Sequence, residues 1–459
     1  MKKKHTLRKI ILCFLIALII AIPVYIAISR YINSLPKLQY TYNDLSSGNR
    51  LVEYPDSQFA VISDLHYYDS SLGTKGKAFE EYLNSDRKLL RDSADLLDLA
   101  VNEINNLNVK FVLVPGDLTK DGELVCHQRV KAALSRLSAS GKKVYVIPGN
   151  HDINNTEAFQ YKGELSLPVP NITPGDFSTI YGDFGYNTAI ERDSGTLSYV
   201  AEPVDGLWLV ALDTSRYKEN KSGYRPIVSS KMSQKQEKWL ESILSRANKL
   251  GKAVIVMSHH GIVEHWKGQG RLHKDYLIQD YKHISRLLAS YNVRLAFTGH
   301  YHAQDITLED FDENGYIYDI ETGSLITAPC SVRYCTLKNN KIYIDSEFLA
   351  GKLHPGTDFE KKAFRFVSDS VKNETVQILR KYFVPKKDAN YIGDYIARGF
   401  MAHYSGDEKI SLRPAFDSHK VNLWSRFVFY QEKYVSIGLW NDLTPSDNSV
   451  TLDLGEKIK

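Results

Sequence analysis

Residues 144–152 read Val-Tyr-Val-Ile-Pro-Gly-Asn-His-Asp: four apolar residues, a turn, then three side chains able to bind metal or move protons. An apolar run of that length closed by Pro-Gly predicts a buried strand. The same layout recurs along the chain. Phe59–Ser63 runs into Asp64-Leu-His66, and Val109–Val114 runs into Pro-Gly-Asp117. Trp208–Leu212 ends at Asp213, and Ala253–Met257 ends in Ser-His-His260. The run 293–298 ends in Gly-His-Tyr-His302. Stretches with helical period lie between these runs. Leu89, Leu90, Leu96, Leu97, Ala100, Val101, Ile104 and Leu107 mark one; 123–138, closed by Gly141, is another. A third opens at Ser233-Gln-Lys-Gln236, read as a capping box, and runs to Leu250; a fourth covers 281–291. Tyr316–Ile320, Val332–Leu337 and Lys341–Phe348 read as hairpin strands, with Asn339-Asn340 as a turn. Alternation of this kind predicts an α/β fold layered around one or two sheets.

Each polar cluster follows an apolar strand. Strand C-terminal ends in α/β proteins converge on one rim, and ligands bind there. The rim set is Asp64, His66, Asp117, Asn150, His151, His259, His260, His300 and His302. Carboxylate, imidazole and amide oxygen suit Mn, Fe or Zn rather than a soft thiolate site. Two such ions about 3.5–4 Å apart can clamp the attacking and leaving oxygens of an in-line displacement at phosphorus. Taken singly, a strand-end Asp or Asn is usually a turn residue, and a lone buried His is usually core. Repetition at successive strand ends carries the metal reading. Asp213 and Ser215, at another strand end, read as structural.

The ordered series Asp64-x-His66, Gly116-Asp117, Gly149-Asn150-His151-Asp152, His259 and Gly299-His300-x-His302 resembles the calcineurin-like metallophosphoesterase superfamily over about 57–350. That resemblance implies a four-layer α/β/β/α sandwich and two divalent ions, Mn or Fe first and Zn as an alternative. By it, one ion takes Asp64, His66, Asp117 and His302; the other takes Asp117, Asn150, His259 and His300, with Asp117 bridging. His259 fits the family position better than His260. His151 then lies beside the phosphate as charge stabiliser or proton donor, and Asp152 orients it. A hydroxide bridging the metals is the expected nucleophile. The protein-phosphatase arginine is missing from Gly116-Asp-Leu-Thr-Lys-Asp-Gly122, and Lys120 stands where purple acid phosphatases carry a ligating tyrosine. The pattern looks more like bacterial cyclic-nucleotide phosphodiesterases, some of which append a helical C-terminal domain. Residues 356–459 look similar, closing on Ser446–Leu454.

Composition sets bounds. The 459 residues are 43% hydrophobic and 24% charged, which excludes collagenous, coiled-coil and wholly disordered chains. Four cysteines exclude a disulfide scaffold; Cys330 and Cys335 are either bridged or free. The net charge of +4 comes from Lys2, Lys3, Lys4, Arg8 and Lys9; the remaining 450 residues sum to −1. A nucleic-acid groove, which needs clustered cations, is not expected. Behind those cations, Ile10–Ile28 holds 19 residues without a charge. This predicts a retained single-pass membrane anchor over residues 1–30, a linker over 31–56 and a catalytic body on the extracytoplasmic side. A cleaved signal peptide would carry a shorter apolar region.

The expected substrate is a small phosphodiester, with 2′,3′- or 3′,5′-cyclic nucleotides first. The alternatives are a cell-envelope phosphodiester or phosphomonoester, or a non-catalytic metal-binding module. In the segment 261–280, Trp266 offers a face for a base, and His265 and His273 offer contacts to phosphate. The long irregular segment 153–200 is expected to wall the cleft.

Overall fold

The computed structural model describes residues 52–455 apart from 85, 313, 314, 407 and 432. Among these, no helix is long and apolar enough to cross a membrane; the expected anchor at 10–28 lies outside them.

The first sheet contains β1 (Ser57–Val61), β2 (Phe111–Val114), β3 (Lys143–Val146), β13 (Ser331–Lys338), β14 (Lys341–Phe348) and β15 (Ser449–Asp453). Its order is β15-β14-β13-β1-β2-β3, with β1, β2 and β3 parallel. The second sheet holds β6 (Glu191–Arg192), β7 (Tyr199–Val204), β8 (Leu207–Leu212), β9 (Ala253–Ser258), β10 (Leu295–Thr298), β11 (Asp305–Asp310) and β12 (Tyr316–Glu321). Its order is β11-β12-β10-β9-β8-β7-β6, and β8, β9, β10 and β12 run parallel.

Alternation along the strands makes the layers. Leu209, Ala211, Ile255, Met257, Leu295 and Phe297 join one core with the first sheet. Phe59 stacks on Phe111 at 4.6 Å and meets Phe297 of the opposite sheet edge-on at 5.3 Å. The other faces of the same strands, Trp208, Val210, Val254, Val256 and Ala296, pack with helices α3 (Gln234–Leu250) and α4 (Tyr281–Ser290). Helices α1 (Ser93–Asn105) and α2 (Leu124–Ala139) pack on the first sheet, α1 through Leu96, Leu97, Ala100, Val101 and Ile104.

Two local expectations need correction. The Ser233 box is half made: Ser233 accepts from the Gln236 amide, but the Gln236 side chain is pulled inward to Ser198 and the Asp213 carbonyl. Segment 153–200 is not irregular; it carries the hairpin β4 (Phe159–Lys162) and β5 (Leu165–Pro168) and a helix at Pro174–Ile180. That helix has the full capping box, between Thr173 and Asp176. Tyr316–Ile320 is a hairpin arm as expected: β12 pairs antiparallel with the preceding β11, and on its other edge it joins β10 in parallel. Asn339 and Asn340 do turn the chain between β13 and β14, both with positive φ, as a tight hairpin requires. Cys330 and Cys335 are buried and free.

The C-terminal region is mainly helical: α5 (Phe359–Lys381), α6 (Lys386–Ser405) and α7 (Leu423–Gln431). Leu379, Ile392, Tyr395 and Phe429 give it a small core, in which Phe416 stacks on Phe429 at 4.0 Å. Its last strand, β15, pairs antiparallel with β14.

Candidate metal centre

The parallel strands of both sheets end on one rim. There Asp64, His66, Asp117, His300 and His302 all have positive φ, from 35° to 76°. Non-glycine residues adopt this backbone at a cost of roughly 1–3 kcal/mol each where the surroundings impose it. Here two glycines make room. A Cβ on Gly149 would lie 2.1 Å from Asp117 Oδ1; one on Gly299 would lie 2.4 Å from Asp64 Oδ2. The loops therefore fold down onto the carboxylates.

Two donor groups result. In the first, His66 Nε2 and His302 Nε2 face each other at 3.1 Å, with Asp64 Oδ1 at 3.8 and 3.5 Å from them. In the second, His259 Nε2 is 3.1 Å from Asn150 Oδ1 and 3.3 Å from Asp117 Oδ2, and His300 completes the set. Asp117 Oδ2 also lies 3.5 Å from His66 Nε2, so one oxygen serves both groups. The surroundings fix these orientations. His259 Nδ1 donates to the Pro115 carbonyl at 2.8 Å, leaving Nε2 for a ligand. Asp64 accepts from Ser63 Oγ at 2.6 Å and from the His300 amide at 3.0 Å.

These donors fit a pair of cations. His300 Nε2 is buried without a hydrogen-bond partner. Burial and the Lys88 charge hold His66 well below its ordinary pKa, so its ring remains a neutral donor of electrons. His260 differs: its two nitrogens are taken by Thr214 at 2.9 Å and the Val228 carbonyl at 2.9 Å. Asp213 is likewise engaged by Tyr217 and the Leu197 amide.

His151 is one-quarter exposed, with Nε2 3.9 Å from Asp117 Oδ2. Its partner corrects the expectation from sequence. Nδ1 lies 2.7 Å from Asp121 Oδ1, not from Asp152. The Asp152 carboxylate turns away because backbone donors claim it: Gly149 at 2.8 Å, Thr119 at 3.0 Å and Leu118 at 3.1 Å. Asp152 thus clamps the 117–119 turn to the 149–152 turn. Burial works against charge on Asp121, yet Lys120 and His151 hold its carboxyl down to about 2. Lys120 is fully buried, lies over the Tyr82 ring at 4.3 Å and pairs with Asp121 and Glu123.

His127 supports the same turn from below. Its Nε2 donates to the Asp152 carbonyl at 2.8 Å, and Nδ1 accepts from Tyr181 at 2.9 Å. Burial pushes its pKa from 6.5 down to about 3. The unfolded chain therefore binds a proton that the folded chain excludes, and stability falls as pH drops from 6.5 towards 3. The expected slope is ~1.4 kcal/mol per pH unit. Thermal unfolding on acidification should show a slope shallower by about this amount in His127→Gln than in the wild type; equal slopes would remove the assignment.

A cleft of about 200 Å³ opens over the rim, lined by His151, Arg87, Lys88, Tyr276, Tyr301 and Tyr404 among others. Arg87 donates to Tyr404 at 2.6 Å and pairs with Glu374, so the C-terminal helices form part of the wall. None of Asp121, Arg87, Lys88, Tyr276, Glu374 and Tyr404 was singled out by sequence. Asp121 carried a signal, four residues after Asp117, and Tyr276 falls within the segment 261–280 read as facing substrate. The residues expected to touch substrate in 261–280 do not line this cleft. Trp266 is fully buried against Gly438, His265 is buried among carboxylates, and His273 is held by the Tyr301 hydroxyl at 2.9 Å.

A family model described as calcineurin-like phosphoesterase matches residues 57–304, more than half of the chain. The chain belongs to the calcineurin-like phosphoesterase family. It is a metallophosphoesterase, and the family implies two divalent ions. A dimetal phosphatase from Danio rerio is 17% identical, covering 64% of this chain and 97% of its own, with a TM-score of 0.45. A purple acid phosphatase from yellow lupin (Lupinus luteus) seeds is 11% identical, covering 64% of this chain and 52% of its own, with a TM-score of 0.39. Both scores lie below 0.5, and the family assignment rests on the match over 57–304. No curated protein matches.

Proposed function

We propose that this phosphoesterase hydrolyses phosphodiesters, with 2′,3′- or 3′,5′-cyclic nucleotides as the substrate class. The observation that carries the diester hydrolase is the shared Asp117 Oδ2 between two donor groups, with the His151 ring beside it. One ion would be held by Asp64, His66, Asp117 and His302, the other by Asp117, Asn150, His259 and His300. Mn or Fe suits this donor set, with Zn as alternative. When bound, such a pair neutralises phosphate charge and supplies an activated water.

The chain's own residues do the rest. Asp117 fixes the common oxygen, and Pro115 aims His259 through its Nδ1 hydrogen bond. Asp121 holds His151 so that Nε2 carries the proton for the leaving oxygen. Burial and Lys88 oppose that charge, but Asp117 and Asp121 outweigh them and raise the His151 pKa above its ordinary value. Arg87 and Lys88 offer cations to the non-bridging oxygens, and Tyr276, Tyr301 and Tyr404 offer aromatic surface to a base.

The apolar run behind the N-terminal cations favours a second reading, an envelope phosphodiester met at the membrane's outer face. The test is turnover by the full chain in detergent micelles, purified without chelator. Bis-p-nitrophenyl phosphate, 2′,3′-cAMP, 3′,5′-cAMP and phosphatidylglycerol vesicles are each offered with Mn2+ and with EDTA. The lead expects metal-dependent turnover with a cyclic nucleotide preferred. Preference for the lipid substrate would replace it with the second reading, and no turnover on any diester would defeat both.

A further inference from the structure

A second buried cluster lies where α6 ends against β11. His403 Nδ1 is 2.7 Å from Glu408 Oε1 and 3.6 Å from Asp305 Oδ2. One donor atom from each of these three residues falls within 4.8 Å of the others. All three are at least nine-tenths buried. Asp305 Oδ2 and Glu408 Oε2 have no hydrogen-bond partner there. His265 engages only the other oxygen of Asp305, at 2.6 Å, and so leaves Oδ2 turned into the cluster. An unpartnered carboxylate oxygen in a buried site is costly. A carboxylate with one oxygen held by an outer imidazole and the other free is the arrangement found behind metal ligands.

We propose that Asp305, His403 and Glu408 bind one divalent cation, separate from the catalytic pair. One imidazole nitrogen and two carboxylate groups suit Zn2+ or Mn2+. The ion takes the place of the proton between His403 and Glu408. Its role is to fasten the end of α6 to the second sheet. That end also carries Tyr404 into the cleft wall. The fastening is continued by Asp447, which accepts from the Ile306 amide at 2.8 Å, and by Arg333, which donates to the Asp305 and Glu321 carbonyls at 3.2 and 2.6 Å. The competing arrangement is proton-only: His265 also faces Asp319 at 3.3 Å and Glu321 at 3.5 Å, and burial pushes the Glu321 carboxyl up to about 8. Protons on both imidazoles and on Glu321 would then hold the cluster together without a cation.

The experiment measures metal per chain on the full-length protein, stripped with EDTA and dialysed against Mn2+ or against Zn2+. The wild type is expected to bind one equivalent more than the catalytic pair. Glu408→Gln should lose that equivalent and keep the pair. Asp117→Asn should weaken the pair and keep the extra one. Wild-type crystals provide a measurement that needs no variant: anomalous scattering at the metal edge should give a peak between Asp305, His403 and Glu408. A wild-type count equal to the catalytic pair alone, or crystals loaded at saturating metal with no such peak, would overturn the site in favour of the proton-only cluster.

Discussion

Asp117→Asn is expected to lower kcat/KM by roughly a thousandfold or more, ~4 kcal/mol, while the protein stays folded. The loss follows from geometry. Asp117 Oδ2 is the one oxygen that approaches His66 at 3.5 Å and His259 at 3.3 Å. An amide there removes a charge from between two cations and can turn a nitrogen towards one of them. Folding should survive for two reasons. Asn tolerates the left-handed backbone of position 117, φ 48°, as well as Asp does. Its remaining oxygen can still accept from the His151 amide, as Asp117 Oδ1 does at 2.9 Å. Steady-state kinetics with a melting curve checks this. A variant within tenfold of the wild type would mean that Asp117 is not shared between two ions.

His151→Gln should cost about 10²–10⁴-fold on a substrate whose leaving group is an alkoxide, and far less on a p-nitrophenyl diester. A poor leaving group needs the proton that His151 delivers; p-nitrophenolate leaves as an anion. Asp121→Asn should give a smaller loss with the same leaving-group dependence, because Asp121 acts through the ring it holds. That substitution also removes a carboxylate that raises the His151 pKa, so the basic limb of the pH–rate profile should move to lower pH. Equal losses on both leaving groups would make His151 a phosphate contact rather than a proton donor.

The rim was legible because strand and ligand share one sequence signal. Each apolar run that fills the core between the sheets is followed at once by the side chain it delivers. Asp64, Asp117, Asn150, His259 and His300 lie at the strand ends expected for them. The misses have a common cause: adjacency in sequence says little about direction in space. Asp152 follows His151 yet points into backbone amides, while Asp121, four residues after Asp117, takes the imidazole. Trp266 follows the histidine pair yet turns into the core against Gly438. Arg87 and Tyr404 lie 317 residues apart and meet only across the cleft. No local pattern marks such a pair.

The pairing of β15 with β14 changes how the helical region is connected. β14 ends at Phe348 and β15 begins at Ser449, so the helices from Phe359 onward occupy an excursion between two neighbouring strands of one sheet. In chain topology they are an insertion, not a tail. Stopping the chain after about residue 355 would also strip the outer strand and leave the Lys341–Asp345 backbone as an open edge, a template for pairing with another molecule. Removing the helices while sparing the sheet requires cutting at two places and joining β14 to β15 by a short turn, which their antiparallel register already permits.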